Sequence, residues 1–260
     1  MDARNQILER LRKLLGRPDL RFPPPETEPL RPSEHLAITQ AQGDRWELAQ
    51  RFLAELRALH GDGELVETPA EARLAAIARL TAWVEEERAI RHTEPDTSMP
   101  GERDVLSWAP QELPVEGLAP ALEDLGFRLV VPQDLHRPDE RDTLRPIRAG
   151  LTGVDAAFAS TGSMLLGSGP GRSRVASLTP YRHLALVPLS RLYPNVETWL
   201  REQREAGTLE AVLRQGSQTV LVTGPSKSAD IEGNLTLGVH GPKLVYAILF
   251  DDIHALIQEG

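Results

Sequence analysis

Apolar positions recur at helical spacing in the first half of the chain. In residues 5–15, Ile7, Leu8, Leu11, Leu14 and Leu15 share one face and Gly16 ends the run. Residues 44–61 repeat the pattern with Trp46, Ala49, Phe52, Leu53 and Leu56. Residues 64–69 read as a short strand, and Pro69 then opens a helix through EARLAAIARLTAW. A further helical pattern covers 118–125, with Gly126 as its stop, and 127–132 reads as a strand. Residues 93–116 are rich in Pro, Glu, Asp and Ser and read as loop.

The second half is dominated by short apolar runs. Residues 154–159 and 163–168 read as strands around the turn Ser160-Thr161-Gly162, and 183–188 as another. Residues 195–207 form a helical pattern with Asn195 placed as its N-cap. Residues 218–224 form an apolar strand that runs into a Gly-Pro turn, and 243–250 is a buried strand. Strands alternating with helices, several of them continuously apolar, predict an α/β fold with a mostly parallel sheet covered on both faces.

Five prolines in residues 21–32 oppose helix and predict a semi-rigid linker. The expected organisation is an amphipathic helix in 1–21, a Pro-rich linker in 22–34 and a main domain in 35–260. A helix this short is marginal alone in water, so it is expected to pack on its own body, on a second copy or on another partner.

The chain has 260 residues, which allows one or two domains, and its 29 basic and 38 acidic residues give a net charge of −9. All of that charge falls in residues 1–146; the remainder is neutral. This balance argues against a general nucleic-acid binder and against electrostatic docking on anionic lipid. The sequence contains no cysteine, which excludes a disulfide framework, a thiol nucleophile, a cysteine zinc site and an iron–sulfur cluster held by this chain. Asp2 and Glu9 interrupt the N-terminal region, unlike a signal peptide, and the longest apolar run, 244–250, is too short to span a bilayer. A cytoplasmic protein is expected.

Two patches carry candidate chemistry. One is Ser160-Thr161-Gly162-Ser163 with the following Gly167-Ser168-Gly169-Pro170-Gly171-Arg172-Ser173-Arg174. The other is Thr223-Gly224-Pro225-Ser226-Lys227-Ser228-Ala229-Asp230-Ile231-Glu232 with Gly238-Val239-His240-Gly241-Pro242-Lys243. In the second, an apolar strand ends at Thr223 and Gly224 permits a tight turn. Ser226 or Ser228 is placed to cap a following helix, whose free amides would face an anion at the carboxyl end of the sheet. Lys227 adds a cation, and it is one of only three lysines, with Lys13 and Lys243.

Other chemistries find less support. Neither the P-loop spacing nor Gly-x-Gly-x-x-Gly occurs at the second patch, and Gly167–Gly171 reads as a flexible loop. Seven histidines include no His-x-x-x-His or His-Glu-x-x-His pair, although His183, His240, Asp230 and Glu232 would suit a metal if the fold gathered them. His240, between Val239 and Gly241, suits either a proton donor or anion ligand, or a hydrogen bonder that pins its loop. Asp230 and Glu232, two apart on the expected helix, would face different ways. No Gly-x-Ser-x-Gly elbow supports a serine nucleophile.

The stretches DAAFASTGSMLL, RSRVASLTPYRHLALVP and TGPSKSADIEGNLTLGVHGPKLVYAILFDD resemble the LUD-domain family, in its lactate-utilisation C-type branch. The resemblance covers roughly residues 35–255. Lys227-Ser228 stands where the family usually has Arg-Thr, which keeps a cation and a hydroxyl but loses the planar guanidinium. The larger B-type relatives add cysteine-rich segments that this chain lacks.

The resemblance implies a three-layer α/β/α fold like that of the glucosamine-phosphate isomerase, ribose-phosphate isomerase and CoA-transferase group. It implies a role in oxidising L-lactate to pyruvate beside A-type and B-type partners, with iron–sulfur clusters on those partners and no cofactor here. The expected ligand-binding residues are Thr161, Gly162, Ser163, Arg174, Gly224, Pro225, Ser226, Lys227, Ser228, His240 and Gly241. The candidate acid/base groups are His240, Glu232 and Asp230. Three readings follow: an accessory non-redox component that binds a small anion or an iron–sulfur partner; an independent enzyme on a phosphorylated or acyl-CoA substrate, with Lys227 as clamp; and an interaction module, or homo-oligomer, hooked by the N-terminal helix.

Overall fold

The computed structural model describes residues 3–15, 43–91, 101–133, 137–214, 216, 218–229 and 235–253. It comprises two units, residues 1–38 and 39–260. In the first, α1 (Ala3–Leu15) forms where the apolar spacing predicts it; Ile7, Leu8 and Leu11 are exposed. The linker expected in 22–34 lies outside the described residues.

The second unit runs α2 (Arg45–Ala58), β1 (Asp62–Val66), α3 (Pro69–Ile90), β2 (Asp104–Ser107), α4 (Leu118–Asp124), β3 (Arg128–Val130), α5 (Pro138–Leu144), β4 (Ala149–Thr152), β5 (Ala156–Phe158) and β6 (Ser163–Ser168). It continues with α6 (Val175–Leu178), β7 (Arg182–Pro188), β8 (Leu192–Tyr193), α7 (Val196–Glu205), α8 (Leu209–Arg214), β9 (Gln218–Val222), β10 (Lys227–Ala229), β11 (Leu235–Leu237) and β12 (Leu244–Phe250). The main helices start where side chains satisfy their first amides. Asp44 and Glu47 form a reciprocal capping box on α2, Thr68 caps α3 ahead of Pro69, and Asn195 caps α7.

Six strands form the central sheet, in the order β1-β12-β7-β4-β2-β3, and every pairing is parallel. β7 is buried along its whole length and β12 from its second residue onward, which is why both read as unbroken apolar runs. Alternation sends Val245, Ala247 and Leu249 to one side and Tyr246, Ile248 and Phe250 to the other. On the first side lies α2: a Cβ on Gly63, which pairs with Ala247, would strike Leu53. On the second lies α3, whose Arg79 donates a 2.9 Å hydrogen bond to the Tyr246 hydroxyl. The α/β fold with a mostly parallel, doubly covered sheet is therefore present as expected.

Several local expectations are corrected. Residues 93–116 are not all loop: β2 lies within them, and its Val105 and Leu106 are core residues. β4 is a further strand that the hydrophobic pattern does not mark. Residues 154–159, 163–168 and 218–224 do not join the parallel sheet. They supply β5, β6 and β9 of a second sheet, ordered β8-β5-β6-β9, in which β5–β6 and β6–β9 are antiparallel. Behind it, Phe158 and Trp199 meet edge to face, with centroids 6.1 Å apart. In place of the helix start expected at Ser226, Lys227–Ala229 is a strand paired antiparallel with Leu235–Leu237.

Candidate functional site

The turn between β5 and β6 carries three of the expected residues. Gly162 takes the left-handed conformation, φ +60°, and a Cβ there would lie 2.5 Å from the Leu56 nitrogen of α2. Thr161 Oγ1 donates to Ser163 Oγ at 2.8 Å, and Ser163 Oγ lies 2.9 Å from Thr223 Oγ1. The two sequence patches therefore meet through a chain of hydroxyls. Gly224 also approaches α2: its missing Cβ would sit 3.1 Å from the Leu59 Cβ. The space in front of both glycines is thus filled by the protein's own helix end. Arg174 is exposed and hydrogen-bonds the Gln218 side chain.

The loops 224–228 and 238–243 do come together. Ser226 N–H donates to the Pro242 carbonyl at 2.9 Å, Gly238 N–H donates to the Ser226 carbonyl at 2.9 Å, and a Cβ on Gly241 would lie 3.1 Å from the Ser226 Cβ. Pro225 is buried, and Ser228 faces Thr236 across the β10–β11 ladder. The mechanism expected for an anion, free amides at a helix start, is corrected here. Lys227–Ala229 is a strand where the helix start was expected, and the Ser226 amide is already bonded. The location also differs from the expectation. β9 belongs to the second sheet, and residues 240–243 lead into the amino end of β12, so the pair of loops lies at the amino edge of the parallel sheet.

That edge is cationic. Around the Tyr181 ring stand Arg148, Arg182 and Lys243, at 4.9, 5.3 and 5.7 Å from the centroid. The Lys243 and Leu244 amides both donate to the Tyr181 carbonyl, which fixes the arrangement. Arg182 is buried and bonds Glu87 at 2.9 Å, while Arg91 reaches the same carboxylate at 2.7 Å and Arg148 lies 3.7 Å away. Burial pushes the Glu87 carboxyl up. Hydrogen bonds from Arg182 and Arg91, with the charges of Arg148 and Arg182, outweigh burial and hold it below the usual value. Lys227 and His240 are exposed in the adjoining loops. Asp230 and Glu232 lie outside the described residues.

His183 is not part of this edge. It sits inside the central sheet, fully buried, with Nε2 2.9 Å from Thr152 Oγ1, and burial pushes its imidazole down to about 4. Among the described residues, no group of three or more His, Asp or Glu side chains lies within reach of a common metal ion.

A cluster the sequence reading missed lies at the carboxyl ends of β2 and β4, the edge where parallel α/β sheets commonly bind ligands. Gly169-Pro170-Gly171-Arg172 is a hydrogen-bonded turn, with Gly171 at φ +70° after the proline, as a type II turn requires. The segment expected to be a flexible loop is thus pinned, and the Ala109 amide holds it further by donating to the Gly171 carbonyl at 2.6 Å. The turn lays the Arg172 guanidinium over Trp108, 4.2 Å from the ring centroid, and pairs it with Asp155. Asp155 also accepts from the Gly167 amide at 2.5 Å. A cavity of about 110 Å³ opens beside them, with Glu112 on its wall. One guanidinium faces two carboxylates, so this lining is acidic on balance. The Pro-Gly-Arg step was the available sequence signal; its partners Trp108 and Asp155 are distant in sequence and gave none.

These features define the class: an α/β protein with a doubly covered parallel sheet, a satellite sheet, a cationic amino edge and a small polar cavity at the carboxyl edge. The LUD domain family model matches residues 49–250, and the chain belongs to that family. It is 40% identical over 105 residues to lactate utilization protein C of Exiguobacterium sp., a match covering 40% of this chain and 44% of that one. It is 32% identical over 154 residues to lactate utilization protein C of Shouchella clausii, covering 59% and 65%. The matched part is under half the length of the Exiguobacterium relative. The crystal structure of a DUF162 family protein from Deinococcus radiodurans is similar with a TM-score of 0.52 at 21% identity, covering 80% of this chain and 99% of that one; this likeness concerns the fold. No helix among the described residues is long and apolar enough to cross a membrane.

Proposed function

We propose that this chain is a non-redox component of a lactate-utilising system, working beside iron–sulfur partners of the A and B types. The observation that carries the reading is the name shared by relatives 32–40% identical to it, lactate utilization protein C. The lack of any cysteine supports the non-redox part, because thiolates are the usual ligands of such clusters. In this reading the cationic edge around Tyr181, with Lys227, His240 and Lys243 beside it, receives an anion: a small carboxylate or phosphate, or an acidic surface of a partner. Cationic side chains supply the attraction in place of main-chain amides.

The test has two arms. Loss of the gene should abolish growth on L-lactate while leaving growth on pyruvate intact, and growth unchanged on lactate would overturn the role. For the edge, the purified chain is titrated with pyruvate, lactate, phosphate and CoA, and with the partner proteins, at two salt concentrations. Lys243→Glu should weaken the interaction about tenfold at low salt and less at high salt. If Lys243→Glu and Lys227→Glu both leave every interaction unchanged, the edge is not the binding surface.

A further inference from the structure

A second cavity opens next to the cationic edge: Ile147, on its wall, immediately precedes Arg148, and Thr179 lies two residues before Tyr181. It is an open cleft of about 660 Å³ between α5 and α6, within the range of small-molecule sites. Its floor is apolar: Leu144, Ile147 and Val175 are each more than nine-tenths buried, yet each lines the cleft. Its wall is charged. Arg141 and Arg145 stand one turn apart on the same side of α5, with Leu144 between them on that side. Asp142 accepts an ion pair from Arg145 at 3.5 Å. Arg141 has no ion-pair partner among the described residues, so the lining carries one uncompensated positive charge.

We propose that this cleft binds an amphiphilic organic acid, a single anionic head on a short apolar body. The apolar floor alone would accept any hydrocarbon. The uncompensated guanidinium selects the charge, because Arg141 offers paired N–H donors suited to a carboxylate. A small anion such as acetate would meet the cation and leave the floor in water, and an alcohol of equal length would fill the floor and leave the cation unpaired. Only a molecule with both parts satisfies the lining. At 660 Å³ the cleft accommodates an eight-carbon acid with room to spare.

The probe is octanoate, compared with acetate and with octanol on the full chain, followed through the methyl resonances of Leu144, Ile147 and Val175. Octanoate should shift these methyls with at least about tenfold higher affinity than acetate or octanol, reflecting the combined head and body contacts. Arg141→Glu should weaken octanoate about tenfold and leave octanol unchanged, with Arg141→Lys intermediate. Arg141 is exposed, so an unaltered melting curve is expected for both variants and is checked first. Absence of octanoate-induced shifts at these three residues overturns the proposal. So does equal affinity for octanoate and octanol, or an Arg141→Glu variant that binds octanoate like the parent.

Discussion

Gly162 lies against the backbone of Leu56, so close that a Cβ would come within 2.5 Å of the Leu56 nitrogen and 2.9 Å of its Cα. The contact joins the β5–β6 turn to the last turn of α2, and neither backbone can retreat without breaking hydrogen bonds. Because φ is +60° as well, Gly162→Ala combines an unfavourable backbone conformation with a steric clash. A loss of about 3 kcal/mol or more is expected, measured by denaturant unfolding. An unchanged midpoint would show that the turn moves freely off the helix.

The buried pair Thr152–His183 predicts a pH dependence. Burial pushes the His183 imidazole from 6.5 down to about 4. Above pH 6.5 the imidazole is neutral in both the folded and the unfolded chain and stability is flat. As pH falls toward 4, the unfolded chain takes up a proton that the folded chain refuses. Stability then drops, by up to about 3 kcal/mol, and levels off below the folded value. Glutamine has a similar reach and does not titrate, so His183→Gln should flatten the curve between pH 6.5 and 4. An equally steep curve in the variant would assign the acid lability to other groups.

At the carboxyl edge, Arg172 balances Asp155 and covers Trp108. Arg172→Met keeps much of the apolar stem but leaves the Asp155 carboxylate with the Gly167 amide as its remaining bond in this cluster. A loss of about 2–3 kcal/mol is expected. Arg172→Lys retains the charge and loses the flat stacking group, so about 1–2 kcal/mol is expected. Thermal melts of the two variants should rank Met below Lys. The reverse order would show that packing on Trp108, and not the charge of Asp155, is what Arg172 supplies.

Glu87 is the main counter-charge of Arg182, whose side chain is 2% exposed. Glu87→Gln leaves that guanidinium with the longer, 3.5 Å pair to the more exposed Glu86 as its remaining counter-charge, and a loss of about 2–3 kcal/mol at neutral pH is expected. The folded carboxyl titrates below its ordinary value of 4.5, so its stabilising contribution is present above that pH and is lost as pH falls through the lower folded value. Urea unfolding of the parent and variant should therefore converge at strongly acidic pH. A difference that stays constant across pH would mean that the lost interaction is not ionic.

Much of the fold was legible before any coordinates. The helices over 45–58 and 118–124 and the strands β7 and β12 announce themselves because burial on one or both faces writes a period or a run into the sequence. β2 and β4 did not: Asp-Val-Leu-Ser lies within a stretch rich in Pro, Glu, Asp and Ser, and Ala-Gly-Leu-Thr carries one large apolar side chain, so neither forms an apolar run. Lys227–Ala229 misled for a different reason: a Gly-Pro turn followed by serines suits a helix cap as well as a hairpin. Here β11 supplied a partner strand, and pairing decided the outcome.

The sequence by itself determined the elements that depend on neighbours along the chain: the helix cap at Asn195, the start of a helix at Pro69, the apolar central strands and the absence of thiol chemistry. It also marked the loops 224–228 and 238–243 as belonging together. Only the tertiary structure decided that these loops sit at the amino edge of the sheet, that Gly162 and Gly224 are shaped by α2, and that Arg148 and Arg182 join Lys243 around Tyr181. The reason is physical. Local torsions and hydrophobic periodicity act over a few residues and leave a trace in the sequence. Which strand pairs with which is set by burying the whole core at once, and it brings together residues as far apart as Glu87 and Arg182.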